Sequence, residues 1–533
     1  MKRISFTFVT VCLLAISCTS TEIKVPSSDD TTINEQNAYN NLFLDSSSVE
    51  KFMVSQDSFK RFRSKYYAFY SQRNYEFAWF DSDGMTEQAH HFYSLQNNFA
   101  ANLNDSSIYN VPLQELYGWL QNNGSNRNKV YDSISKKTEL LLTGQFFRYA
   151  QKVYHGSEID IEKLGWYIPR KKINATILLD SLVDGVSKAS KEYEPLNRQY
   201  RLLEGFLAKH YSLKKKGDWL LIPDKKRFKN GDSNNVVTQI KKRLFDLGDL
   251  KKSDTTVLFD TSLLSAVKQF QQRMGLRSSG IADERTLKSL NIPIQLLINK
   301  ILINMERARW MPPDTSHLDK VVINIPEYRL SVFDSGSFSF SMPVVVGTAA
   351  HNTVIFDDKI KYIVFSPYWN IPTGITKKEM MPALKRNKNY FTQHNIEIVR
   401  YDNGIPELRQ KPGLKNALGG VKFLFPNKYS IYLHDTPGKD AFSNLNRPFS
   451  HGCIRVGDPK RLAAFLLRRE PMYTADSINT YMTLPKEKWL EIKPMVHVII
   501  KYFTAWVDNT GLLNFREDIY GRDKSIAEKL FEK

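Results

Sequence analysis

"KVVINIPEYRLSVF", residues 320–333, is where the chain changes its period. The stretch is rich in β-branched and aromatic residues and partly alternates apolar with polar, the pattern of a half-buried strand. Four later stretches read the same way: "SFSMPVVVGT" (339–348), "IKYIVFSPYWNIP" (360–372), "KFLFPNKYSIYLHD" (422–435) and "HVIIKYFTAWVD" (497–508). Residues 319–510 are therefore expected to form one mostly β domain. Inside it, residues 373–418 interrupt the strands with a polar, partly helical run that begins "TGITKKEMMPALKRNKNYFTQHN". An insertion this long in a compact domain reads as a lid. Its Lys377, Lys378, Lys385, Arg386 and Lys388 form a basic face.

Upstream of Trp310 the spacing is helical. In "DSFKRFRSKYYAFYSQ" (57–72) and "SISKKTELLLTGQFFRYAQKVYHG" (133–156) apolar and aromatic residues recur every three or four positions. The stripe Phe146, Phe147, Tyr149, Tyr154 reads as core. Residues 56–227 are expected as a helical domain with no chemistry visible in its composition. Residues 228–293 read as a compact three-helix module. "NNVVTQIKKRLFDLG" (234–248) puts Val237, Ile240 and Leu244 on one face and stops at Gly248. "FDTSLLSAVKQFQQRMGL" (259–276) opens on Asp260 as N-cap and lines up Leu264, Val267 and Phe270. "SGIADERTLKSLN" (279–291) turns at Gly280 and starts a third helix at Asp283. A connecting helix is expected over 294–318 and a C-terminal tail over 511–533. The fold class is multidomain α+β.

The chain has 533 residues, 42% of them hydrophobic and 12% aromatic, enough for two to four domains with real cores. Its formal net charge of +19 favours an anionic partner: nucleic acid, a phospholipid surface or an acidic wall polymer. The N-terminus narrows this choice. "MKRISFTFVTVCLLAISC" has Lys2 and Arg3, an apolar run from Ile4 to Ile16, then Ser17-Cys18. Residues 1–17 read as a signal peptide, too short to span a bilayer comfortably. Leu14-Ala15-Ile16-Ser17-Cys18 resembles a bacterial lipobox, in which the cysteine is acylated and becomes the first residue. Residues 18–55, polar and rich in Ser, Thr, Asn and Asp, read as a flexible tether. An exported chain of this kind points to membrane and wall as partners, and away from nucleic acid.

Removal of Cys12 and lipidation of Cys18 leave one thiol, Cys453, within "YLHDTPGKDAFSNLNRPFSHGCIRV" (432–456). A lone thiol in an exported protein calls for an explanation. A thiolate nucleophile needs a base or a positive field. His434 ends a strand nineteen residues earlier and His451 stands two residues away. On a strand that second spacing puts both side chains on one face; on a tight turn it does not. Gly452 permits a sharp turn and close approach of substrate, and N–H groups at Gly452 and Cys453 suit an oxyanion. Arg455 suits loop order or a carboxylate. Three readings stand side by side: a Cys/His acyl-transfer enzyme, a zinc site of His434, His451 and Cys453, and a structural cysteine beside core histidines.

His434, fifteen residues, then Ser450-His451-Gly452-Cys453-Ile454-Arg455-Val456 resembles the signature of the YkuD-type L,D-transpeptidases. "NMERARWMP" (304–312), "SPYWNIP" (366–372), "NALGGVKFLFPNKYSIYLHDTP" (416–437) and "FREDIYGRD" (515–523) look like the large YcbB-type members. So do "YEFAWF" (75–80) and "LTGQFFRYAQKVYHG" (142–156). "AVKQFQQRMGL" (266–276) and "ERTLKSLN" (284–291) resemble a peptidoglycan-binding module, with Ser279 where the family often has an acid. At 352–354, Val354 stands where Pro usually follows the Asn-Thr pair. The resemblance implies a helical scaffold domain, the small module, and a mostly β YkuD-type catalytic domain with a lid. It implies Cys453 as nucleophile, His434 as base, and the Asp435 carbonyl as the group that orients the imidazole. Ser450, His451, Gly452 and Arg455 shape the loop, and Tyr368, Trp369 and Tyr432 line the pocket. No cofactor and no metal are implied. The implied substrates are peptidoglycan peptide stems and the implied product is a 3→3 cross-link. Water as acceptor makes an L,D-carboxypeptidase instead, and a wall protein makes a tethering enzyme; a non-catalytic wall-binding scaffold is the alternative of another class. Further partners are the membrane, through lipid on Cys18, and other wall-synthesis enzymes. The implied location is the periplasm of a Gram-negative bacterium.

Overall fold

The computed structural model describes residues 42–123, 128–170, 173–183, 196–224, 226–312 and 318–531. The signal peptide, Cys18 and the first part of the tether lie outside them. Two compact units emerge. One runs to His90 and adds residues 111–144 and 176–183; the other comprises 91–110, 145–175 and everything from 184 onward. The helical region expected as one domain is shared between them. Its last helix, Arg198–Lys215, packs along the helix Ile294–Trp310 of the β-rich unit.

In the first unit the tether is corrected. Residues Ser46–Ser55 form a helix, capped by Asp45, whose carboxylate accepts Ser48 N–H at 2.7 Å. Val49, Phe52 and Met53 are buried at helical spacing, so this part of the polar stretch has an apolar face that composition concealed. A short hairpin follows, β1 (Phe80–Asp81) against β2 (Gly84–Met85). Beside it, Glu139 is fully buried. Its carboxylate accepts Ala78 N–H at 2.8 Å, Trp79 N–H at 2.9 Å and the Tyr70 hydroxyl at 2.8 Å.

The second unit contains the three-helix module, with helices Asn235–Leu247, Thr261–Arg273 and Glu284–Leu290 capped by Asn234, Asp260 and Asp283. Val237, Ile240, Leu244, Val267 and Phe270 fill its core. Leu263 is fully buried, as Val267 is, whereas Leu264 only packs against the core's edge. The reason is phase: Leu263, Val267 and Phe270 share a face at i, i+4 and i+7.

The largest sheet among the described residues has nine strands. Its strands are β3 (Lys320–Asn324), β4 (Arg329–Asp334), β5 (Ser337–Gly347), β6 (Phe356–Phe365), β10 (Val421–Leu424), β11 (Leu433–His434), β12 (Pro448–Ser450), β13 (Ile454–Val456) and β14 (Lys488–Lys501). They run in the order β12-β5-β13-β11-β10-β6-β14-β3-β4, and an extra pairing of β4 with β5 closes the order on itself. Alternate residues such as Val321, Ile323, Val344, Phe423, Leu433 and Ile454 are fully buried. The insertion adds β9 (Ile405–Gln410) and β8 (Ile396–Asp402) to β7 (Trp369–Asn370), which precedes it, in a small sheet over a core of Ile371, Met380 and Leu408.

Residues 511–533, expected as a tail, are corrected as well: their described part is folded into the unit. Strand β16 (Leu513–Phe515) pairs with β15 (Ala505–Val507). A helix follows at Arg522–Phe531. Asp523 at its start meets the buried Arg307 guanidinium at 2.6 Å and accepts the Thr504 hydroxyl at 2.8 Å. Tyr520 stacks on Tyr502, with ring centres 5.6 Å apart. The helix Ile294–Trp310, expected as a connector, is buried along most of its length and supplies that arginine.

Candidate active site

Strands β11 and β13 run parallel, with Leu433 opposite Ile454 and His434 opposite Arg455. Ile454 N–H donates to Tyr432 O at 3.1 Å, which carries the register one residue back to Tyr432 and Cys453. Leu433 and Ile454 point into the core. By alternation, Tyr432, His434, Cys453 and Arg455 share the opposite face. On the other side of His434, β10 places Lys422 opposite it.

Cys453 is half-buried, and its Sγ donates toward Ser430 O at 3.5 Å. Burial pushes its thiol above the usual range, while hydrogen bonds from Tyr432 pull the other way. His434 is buried, and burial pushes its imidazole down to about 4. The bond to Asp435 O opposes that shift and the Arg455 charge adds to it. His434 Nδ1 lies 2.5 Å from Asp435 O. A carbonyl can only accept, so Nδ1 carries the proton and Nε2 holds the lone pair. The Asp435 carboxylate accepts Gly420 N–H at 2.9 Å, Thr436 N–H at 2.7 Å and Lys439 Nζ at 2.5 Å. It fixes the loop while the carbonyl orients the ring. Burial thus favours the neutral form of both groups, a thiol that can donate and an Nε2 that can accept.

Gly452 has φ +113°, a backbone conformation that other residues rarely adopt. The Ser450 hydroxyl donates to Cys453 O at 2.6 Å and accepts Gly452 N–H at 3.2 Å. Because the chain turns here, His451 leaves the shared face. Its Nε2 lies 3.0 Å from Glu379 Oε1 on the insertion, and its ring is 5.1 Å from that of His351. His434, Cys453 and His451 therefore do not converge, and no group of three His, Cys, Asp or Glu among the described residues is placed to hold a metal ion. Tyr432 stands beside His434, with ring centres 5.7 Å apart. Tyr368 and Trp369 sit at the base of the insertion: Arg409 covers the Tyr368 ring at 4.5 Å, and Trp369 packs on the insertion's core. Arg455 is half-buried, its Nε without a hydrogen-bond partner among the described residues.

Sequence reasoning missed Lys422, Glu379 and Tyr520 at the site. Lys422 carried a signal, since its strand was legible and register then places it. Glu379 and Tyr520 reach the loop from segments far away in sequence; Tyr520 lies in the family-like stretch 515–523, but nothing there says which backbone group it meets.

Three family models match the chain. Residues 319–474 match the YkuD L,D-transpeptidase catalytic domain, residues 64–207 a scaffold domain, and residues 233–290 a domain described as "Putative peptidoglycan binding domain". A Haemophilus influenzae protein named "Putative L,D-transpeptidase" is 32% identical over 246 residues, covering 43% of this chain. The match spans 49% of that relative, about half its length. Among solved structures, an L,D-transpeptidase of Xylanimonas cellulosilytica is 14% identical, over 52% of this chain and 99% of that one, at a TM-score of 0.16. L,D-transpeptidase 3 of Mycobacterium tuberculosis, with a faropenem-derived adduct, is 13% identical over 36% and 62%, at 0.19.

Proposed function

We propose, from a chain that carries a YkuD L,D-transpeptidase catalytic domain together with scaffold and peptidoglycan-binding domains, that this protein forms 3→3 cross-links in peptidoglycan. Cys453 is the nucleophile and His434 the general base. The observation that supports this best is the parallel register of β11 and β13, which sets Cys453 and His434 on one face with Nδ1 already tied to a carbonyl. Nε2 takes the thiol proton as sulfur attacks the carbonyl between residue three and D-Ala four of a tetrapeptide stem. The carbonyl electron pair moves onto oxygen. Its return breaks the C–N bond, and the imidazolium gives its proton to the leaving D-Ala amine. A thioester remains. A side-chain amine of a second stem then attacks it, gives up its proton to His434, and frees the thiol. Arg455 and Lys422 flank His434 and meet stem carboxylates. The protein works in the periplasm, held to a membrane by lipid on Cys18. Two or more acyl chains anchor stably where one does not, and mass spectrometry of the mature N-terminus reads which is present.

The test is muropeptide analysis of wall sacculi incubated with wild-type protein and with Cys453→Ala. The reading expects 3→3 dimers and free D-Ala from the wild type alone. Tripeptides without dimers would make the protein a carboxypeptidase, and binding without any product would make it a scaffold.

A further inference from the structure

The loop that carries Cys453 is held by a residue outside the motif. Thr353 is fully buried. Its hydroxyl donates to Gly452 O at 2.8 Å and accepts Gly347 N–H at 2.9 Å. Tyr520 closes the arrangement from the C-terminal segment. Its hydroxyl donates to Gly347 O at 2.6 Å and accepts Thr353 N–H at 3.4 Å. There is no slack at this point. A Cβ on Gly347 would meet His351 O at 2.1 Å and Gly452 Cα at 3.1 Å.

The bond to Gly452 O bears on the chemistry. Gly452 C=O and Cys453 N–H belong to one planar trans peptide and point in opposite directions. A hydroxyl that fixes the carbonyl therefore aims the N–H. Among the described residues that N–H makes no hydrogen bond. We infer that Thr353, backed by Tyr520, is a positioning residue that aims Cys453 N–H at the oxyanion formed when the thiolate attacks. The inference rests on the reading of Cys453 as nucleophile. During attack the S–C bond forms and the carbonyl pair moves to oxygen; that charge meets a donor already in place, with no reorganisation needed.

Two reactions of one thiol separate aim from general damage. Acylation by a carbapenem passes through a tetrahedral oxyanion. Alkylation by iodoacetamide displaces iodide at an sp³ carbon and forms none. The variants are Thr353→Val, which keeps the shape and loses the bond, Thr353→Ser, which restores it, and Tyr520→Phe, which removes one hydroxyl behind it. Intact-protein mass spectrometry follows both adducts with time. Loss of one oxyanion donor costs about 10²–10³-fold, so a misaimed donor is expected to slow acylation roughly 10- to 100-fold in Thr353→Val. Tyr520→Phe should fall between that variant and wild type, and Thr353→Ser should lie within about threefold of wild type. Alkylation rates against pH should superimpose for all four proteins. With tetrapeptide donor, the loss should fall on kcat and leave KM nearly unchanged. If Thr353→Val does not fold, the order wild type, Thr353→Ser, Tyr520→Phe still tests the inference. Wild-type acylation rates in both Thr353→Val and Tyr520→Phe, or alkylation that falls in parallel with acylation, would overturn it. Absence of a wild-type adduct at Cys453 would overturn the nucleophile assignment and the inference with it.

Discussion

Glu139 in the helical unit and His434 in the β-rich unit are both buried, and burial drives both toward their neutral forms, Glu139 up to about 7 and His434 down to about 4. Their surroundings differ. Glu139 accepts bonds on both oxygens from Ala78, Trp79 and Tyr70, so it acts as a clamp between a helix and a turn. His434 is tied at Nδ1 alone and makes no bond at Nε2 among the described residues. A shifted titration marks burial; an unfilled atom on a shared face with a thiol marks chemistry.

The widest separation should come from removing each group. His434→Ala should lower kcat by roughly 10²–10⁴-fold, a loss far out of proportion to the fall in melting temperature that emptying a buried site brings. Glu139→Ala should do the reverse. It strands two buried N–H groups, each worth about 1–3 kcal/mol when unsatisfied, while the Tyr70 hydroxyl keeps Thr143 as a partner, so unfolding should shift strongly while kcat below the transition stays at wild type. Steady-state kinetics and thermal melts on both variants check this. Matching losses of activity and stability in both would erase the distinction.

A pH series sharpens it with opposite signs. Glu139 is raised from its ordinary 4.5, so its contribution to stability is full below about 4.5 and is lost as pH rises through about 7. His434 is lowered from its ordinary 6.5, so its contribution is full above 6.5 and is lost as pH falls through about 4. Denaturant midpoints from pH 4 to 8 should slope one way in Glu139→Gln relative to wild type and the other way in His434→Gln. The acid limb of kcat/KM should fall near 4 rather than near 6.5.

The smallest effect concerns the insertion. Glu379 and His451 are both about half exposed, so Glu379→Gln should change stability by less than about 1 kcal/mol. If residues 373–418 act as a lid, that variant should still alter KM for a wall-derived donor more than the rate of carbapenem acylation. Equal change in both would make the segment a support of the site's fold.

Much of this arrangement was legible. The shift from helical to alternating spacing at 320 located the sheet, because it is a local pattern, and the resemblance of the His434 to Ser-His-Gly-Cys spacing to a family signature pointed to the candidate site. Other features depend on distant partners. The helix Ser46–Ser55 hid in a polar stretch because its buried face is only Val49, Phe52 and Met53. Hairpin β8–β9 did carry a signal, Asn403-Gly404, both at positive φ, but the helical start of the insertion drew the reading. His451 was ambiguous in sequence because Gly452 decides its face, and a glycine's φ is not written in its neighbours. The C-terminal segment reads as a tail until Tyr520 is seen 173 residues from Gly347, the carbonyl it holds.

The central claim is that an acyl group passes through Cys453. Purified protein mixed with a disaccharide tetrapeptide donor and quenched in acid within the first turnover gives the direct test. Peptide mapping by mass spectrometry should find the tripeptide acyl group on Cys453 as a thioester, in step with one equivalent of D-Ala released. His434→Ala should form the same adduct far more slowly, and Cys453→Ala should form none. D-Ala release by Cys453→Ala at the wild-type rate, or an acyl group mapped to any other residue, would contradict the account.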